Sequence, residues 1–178
     1  MKTSLALCMV AALLAGCGNI AAVKSFNTPY GSPTTGDTAR LRVIADGMVR
    51  AVPGLDCVDW YSPGAGVIVV PQEGFADRND EKLGMPTGAS VPRGNAVSEV
   101  LVPAGKPFTL HFLDGGRSSS YNSVENCLGM FNFVPQKGVD YELKVQGYGT
   151  CNVKLERLGS TEEVKVAKAE YCSAIANF

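Results

Sequence analysis

The chain has little that would make it basic, metal-binding or catalytic. Lys and Arg number 16 against 17 Asp and Glu. No basic stripe is therefore available to neutralise a phosphate backbone, which excludes nucleic acid as a partner. The same balance leaves no polybasic cluster for anionic lipid. There is one histidine, His111, and no Gly-x-Ser-x-Gly elbow, so no base stands ready beside a nucleophile. Ser118-Ser119-Ser120 reads as a loop tract. Gly64-Ala65-Gly66 and Gly115-Gly116 precede no helix, so neither cradles a phosphate. Heptads and internal repeats are absent. The longest apolar run, residues 5–14, covers about ten positions where a membrane-crossing helix needs about twenty.

That short run has a telling context. It follows Met1-Lys2-Thr3-Ser4 and leads into Leu14-Ala15-Gly16-Cys17, which gives the n-region, h-region and small residues of a secretory signal. Leu-Ala-Gly directly before a cysteine resembles the bacterial lipobox. The resemblance implies cleavage before Cys17, diacylglycerol on its thiol and acylation of the new amine. Each buried methylene contributes roughly 0.8 kcal/mol, so one chain holds marginally and several make detachment negligible. The next residue is Gly18, not Asp. In a didermal host this implies the outer membrane, facing the periplasm. The membrane is then a partner through the lipid on Cys17.

Cleavage removes residues 1–16 and with them Lys2, leaving 15 basic against 17 acidic side chains, a net charge of −2. About 140 folded residues bury roughly two-thirds of their unfolded surface, enough for one domain. Of six cysteines, Cys8 leaves with the signal and Cys17 carries lipid. Cys57, Cys127, Cys151 and Cys172 remain in an oxidising compartment, which favours two disulfides. Four cysteines allow three pairings. The favoured one joins Cys127 with Cys151, both opening strands at one end of a meander, and so Cys57 with Cys172. A zinc site from all four thiolates fails on spacing, since no CxxC pair clamps a metal.

Residues 18–38 show no period and are rich in Gly, Pro, Ser, Thr and Asn. They read as a flexible tether with a typical reach of roughly 25 Å. The other reading docks Val23, Phe26 or Tyr30 on the domain. From Ala39 the pattern has period two. In Ala39-Arg40-Leu41-Arg42-Val43-Ile44 the apolar and basic residues take opposite faces. Residues 48–52 read as the hairpin partner through Asp46-Gly47. Trp60 reads as a core plug beside a disulfide rather than a ligand platform. Further strands are expected over 66–70, 96–102, 107–113, 128–134, 140–145 and 151–158. In Phe108-Thr109-Leu110-His111-Phe112, His111 opposes the apolar face and is expected at solvent or on a shallow face. Polar-out, apolar-in alternation means antiparallel strands with one wet side. About eight of them, turned at short intervals, give a mainly β antiparallel sandwich or small barrel over residues 39–178. After Gly159 a short helix is favoured, Ser160-Thr161-Glu162-Glu163 serving as a capping box. Val164-Lys165-Val166 extending the sheet is the rival.

Residues 71–95 are dominated by charge, Gly and Pro. A loop of that length is functional or disordered, so it is the first candidate for a partner-binding surface. Asp77, Asp80 and Glu81 lie close together, but their spacing is not that of a calcium loop. Asp56, Asp59 and Asp114 form no paired-carboxylate spacing. No cofactor and no metal site are expected.

The chain resembles the small β-sandwich lipoproteins of proteobacteria. The residues that carry this are Leu14-Ala15-Gly16-Cys17, Ala39-Arg40-Leu41-Arg42-Val43, Val102-Pro103-Ala104-Gly105-Lys106-Pro107-Phe108, Asp140-Tyr141-Glu142-Leu143 and Cys151-Asn152-Val153. The resemblance implies anchor, fold class and compartment, and brings no activity or site residue with it. A more distant similarity is to the secretion-system lipoproteins that brace an envelope channel. The expectation is a non-enzymatic envelope lipoprotein that binds or braces an envelope protein, at the high local concentration an anchor provides. The rivals are a ligand-carrying barrel, whose interior would be hollow, and a small hydrolase, which would need a deep polar cleft.

Overall fold

The computed structural model describes residues 20–114, 128–147, 152–162 and 164–173. They hold one short helix, α1 (Ile20–Lys24), and nine strands: β1 (Thr38–Ala45), β2 (Met48–Pro53), β3 (Gly66–Val69), β4 (Ala96–Pro103), β5 (Phe108–Leu113), β6 (Leu128–Phe133), β7 (Asp140–Gln146), β8 (Asn152–Arg157) and β9 (Ala167–Lys168). Sheet I has the order β4-β1-β7-β8 and sheet II the order β3-β2-β5-β6-β9. The fold is a β-sandwich; neither sheet closes into a barrel. The named strands pair antiparallel except β1 with β7, which run parallel.

Period-two alternation builds the interior. Leu41 and Val43 of β1, Val100 and Val102 of β4, and Leu143 and Val145 of β7 face Val49 and Ala51 of β2, and Phe108, Leu110 and Phe112 of β5. Tyr30, Phe108, Phe133 and Tyr141 form a chain of edge-to-face rings with centroids 5.2–6.1 Å apart. Such pairs add roughly 0.5–1.5 kcal/mol each beyond the area they bury.

Charge selects the neighbours of β1. Arg42 lies in register with Glu99 on one side and Glu142 on the other, and Arg40 with Asp140. Opposite charges directly across a ladder stabilise that register, and a slip of one residue would break every such pair.

Several expectations give way. Asp46-Gly47 does not make a hairpin, because β1 and β2 belong to different sheets. The dipeptide instead carries the chain across the sandwich, and the Asp46 carboxylate accepts the Gly147 N–H at 2.9 Å. A two-residue turn signal reports a tight reversal, not which strands then pair.

The stretch 18–38 is packed rather than free from Ala21 onward. Tyr30 is buried, its N–H bonds Val67 O at 2.8 Å, and its hydroxyl donates to Leu101 O at 3.0 Å. Gly66 permits this approach, since a Cβ there would lie 2.3 Å from Thr28 O. After Gly159 no helix forms among the described residues. The chain runs irregularly to β9, which pairs with β6, and then to a bridge between Tyr171 and Val58. Val164 docks against the main core, and the pairing of residues 167–169 with β6 uses backbone groups a helix would need.

Candidate functional site

Alternation reveals two faces of a strand but not whether the outer face is covered. Here both outer faces are covered over their centres.

On sheet I, residues 83–89 cross β4, β1 and β7. The Arg42 guanidinium donates to Glu99 Oε1 at 2.6 Å, Glu142 Oε2 at 3.1 Å and Pro86 O at 2.8 Å. Glu99 accepts the N–H groups of Leu83 and Met85, and Glu142 that of Ala89. Burial raises both carboxyls, but Arg42 and these backbone donors outweigh it and hold them below the usual range. Gly88 is required at the crossing, because a Cβ there would meet Glu142 Oε2 at 1.8 Å and Arg42 Nη1 at 2.1 Å. Thus a good part of segment 71–95, the first candidate for a partner-binding surface, is a strap tied down by three buried charges.

On sheet II, α1, the segment around Trp60 and the tail at Tyr171 cover β2 and β5. Arg50 and His111 are cross-strand neighbours here, 2% and 1% exposed. His111 therefore faces away from the core as expected, yet it meets protein rather than solvent. Its Nδ1 lies 2.8 Å from Arg50 Nη2. A guanidinium can only donate, so Nδ1 accepts and the ring proton sits on Nε2. Burial, then the Arg50 charge, pushes His111 down to about 3. Arg50 also donates to Ser25 Oγ and is stacked between the rings of Phe26 and Trp60, each centroid 3.9 Å from Cζ. Burial pushes it down to about 10, opposed by Tyr171. Trp60 belongs to a buried cluster with Ala21, Val52, Val58 and Ala65. This constellation fastens chain segments, and Ser25 and Trp60 at its outer side border a surface hollow of about 360 Å³.

Cys57 and Cys172 are bonded across 115 residues, Cα atoms 5.0 Å apart, beside this cluster. Cys17, Cys127 and Cys151 lie outside the described residues, as do Ser118-Ser119-Ser120 and Gly115-Gly116. The argument that joined Cys127 with Cys151 loses its premise, since β6 and β8 belong to different sheets. Asp77 accepts the Asn79 N–H, and Glu81 pairs with Arg78. Among the described residues no group of three His, Cys, Asp or Glu could hold a metal ion. Nor is any helix among them long and apolar enough to cross a membrane.

What remains accessible is a strand edge. The edge of β4 is covered by bonds from Asp80 N to Val97 O and from Glu99 N to Glu81 O. The edge of β3 is covered by residues 28–30 and by Asn79, which bonds both backbone groups of Val70. At the other end of sheet II, β9 has two residues. By contrast β8 has six and, among the described residues, pairs only with β7. The bond from Leu158 N to Asp140 O at 2.8 Å sets the alternation. Lys154 and Glu156 turn their backbone groups to β7, while Val153, Leu155 and Arg157 turn theirs outward. Beside this edge residues 160–162, 164 and 166 leave a hollow of about 340 Å³, where Val153, Leu155, Val164 and Val166 lie among Lys154, Glu156 and Glu162. Val153 is 36% and Val166 51% exposed. A long edge left bare among the described residues, with a partly apolar hollow beside it, is a template for strand addition. In the sequence β8 reads as one more alternating strand. The signal that could single it out is its place as the last long strand among the described residues.

No protein-family model matches the chain, and a search of curated proteins gives no match.

Proposed function

We propose that the protein is a membrane-anchored envelope lipoprotein with a non-enzymatic binding role, held by lipid on Cys17 at the periplasmic side of the outer membrane. It engages its partner through the edge of β8. The observation that carries the binding role is that edge, bare among the described residues, in a sandwich whose other long edges are covered. Leu14-Ala15-Gly16-Cys17 followed by Gly18 supports the anchor and its sorting. The packed interior, filled by Phe108, Leu110, Phe112 and Leu143, gives a ligand-carrying reading no chamber.

The anchor is short on this reading. Packing begins at Ala21, and four fully extended steps from Cys17 span at most about 14 Å. The sandwich then rests beside the bilayer instead of being lifted about 25 Å clear of it. Val23 and Tyr61, 66% and 64% exposed, lie at this end of the molecule and meet the headgroups.

Mass spectrometry of the mature protein from its native envelope tests the anchor, with acyl chains on an N-terminal Cys17 the expected result. An unmodified thiol, or a Cys17→Ser variant that still pellets with membranes, overturns it. A photo-crosslinker at Val153 tests the binding face, with Lys144 on β7 as the control position. A specific adduct at Val153 alone is expected; none at either position overturns the β8 reading.

A further inference from the structure

We propose that the strand which β8 receives is β8 of a second copy, so that two sandwiches join through one continuous sheet. The inference rests on the reading of β8 as the binding face and names its occupant.

The argument is one of register. Val153, Leu155 and Arg157 offer outward backbone groups, so only these residues bond across the new ladder. Side chains must also keep to one face. Few two-fold arrangements satisfy both conditions. Pairing Val153 with Leu155 of the other copy sets Lys154 against Lys154. Pairing Leu155 with Arg157 sets Glu156 against Glu156. Centring the axis on Arg157 opposes two guanidinium groups, and centring it on Val153 leaves most of β8 unpaired.

The remaining register centres on Leu155. Leu155 then bonds its own copy, and Val153 bonds Arg157 in both directions. The Arg157 carbonyl, which takes a 3.4 Å turn bond from Ser160 N, keeps a second lone pair for this. Lys154 faces Glu156 twice, at the non-hydrogen-bonded positions where side chains approach closest. Within one protomer the two already pair at 2.6 Å, and both are substantially exposed. Across β7 and β8, moreover, Lys144 opposes Lys154 and Glu142 opposes Glu156. A second β8 reverses that mismatch on its other side. Charged residues ordinarily protect an edge strand from pairing, but opposite charges two residues apart make this edge complementary to itself. The hollow beside β8, with both Val164 and Glu162 in its lining, has apolar and acidic surface for the Val153, Leu155 and Arg157 side chains that the new ladder brings in.

The test is a charge-exchange cycle on the full-length protein in detergent, read by sedimentation equilibrium, together with the crosslinker at Val153 in intact envelopes. Lys154→Glu and Glu156→Lys each set like charges opposite at both positions, and each is expected to weaken self-association about tenfold or more. The double exchange restores it to near the wild-type value. Circular dichroism shows that each variant is folded. A Val153 adduct of twice the protomer mass supports the proposal. An adduct of another mass overturns self-pairing while leaving β8 as the binding face, and no adduct overturns both. A wild type that stays monomeric throughout, or a double exchange as weak as the singles, also overturns self-pairing.

Discussion

The Arg50 guanidinium sits over the Trp60 ring, its Cζ 3.9 Å from the centroid, and among the described residues no carboxylate accompanies it. Phe26 closes the other face. Two ring quadrupoles, a hydroxyl and an imidazole nitrogen replace the water that a buried cation loses. Their attraction is set against a desolvation cost of several kcal/mol.

Arg50→Met is therefore expected to cost about 1–3 kcal/mol, because the buried charge leaves but the His111 Nδ1 acceptor loses its donor. Trp60→Ala keeps the charge and removes the ring, at about 3–5 kcal/mol. Urea titrations of both variants check the ordering. Equal losses would mean the rings act only as packing.

Acid sensitivity should start above the carboxylate range. Folded His111 titrates near 3 against 6.5 for a free imidazole. Between those values the unfolded chain binds a proton that the folded one refuses, so stability falls as pH drops through 6.5. The slope approaches about 1.4 kcal/mol per pH unit. Glu99 and Glu142, held below 4.5, add their loss only at lower pH. As His111 is the only histidine, His111→Gln should flatten urea midpoints between pH 6.5 and 4.5 while keeping an acceptor for Arg50.

Releasing the strap should be local at first. Glu142→Gln leaves Arg42 with one carboxylate and should cost about 3–5 kcal/mol. Gly88→Ala drives a methyl into the same ion pair, at about 1–3 kcal/mol. Hydrogen exchange should quicken across residues 83–89 in both. A uniform increase over both sheets would contradict a local strap.

Removing the Cys57–Cys172 bond frees a loop of 115 residues. The chain-entropy estimate for that length is about 5 kcal/mol. Cys57→Ser with Cys172→Ser should lower the thermal midpoint sharply and loosen the segment around Trp60. A midpoint unchanged within error would show that the buried cluster alone holds the tail.

The strands were legible because burial imposes period two, and Asp140-Tyr141-Glu142-Leu143-Lys144-Val145 matches β7 almost residue for residue. Pairing was not. Nothing local in Asp46-Gly47 distinguishes a hairpin from a crossing between sheets, and nothing in Arg42 names Glu99 and Glu142 as its neighbours. His111 shows the limit most clearly. Its phase was right and its environment was not, because α1, Trp60 and Tyr171 arrive from distant parts of the chain. The bare edge was hidden for the same reason, since exposure of an edge depends on which segments fail to reach it.

Ala21 and Ala22 near the start of the described chain share one apolar cluster with Tyr171 near its end. The described part of the chain is thus almost a ring, residues 21–22 and 171 meeting on the outer side of sheet II. A linker between them, with new termini opened elsewhere, should yield a circular permutant that keeps the native core. A reporter domain fused shortly after Tyr171 would, by the same geometry, crowd Ala21 and Ala22 on sheet II and stand apart from β8 in sheet I.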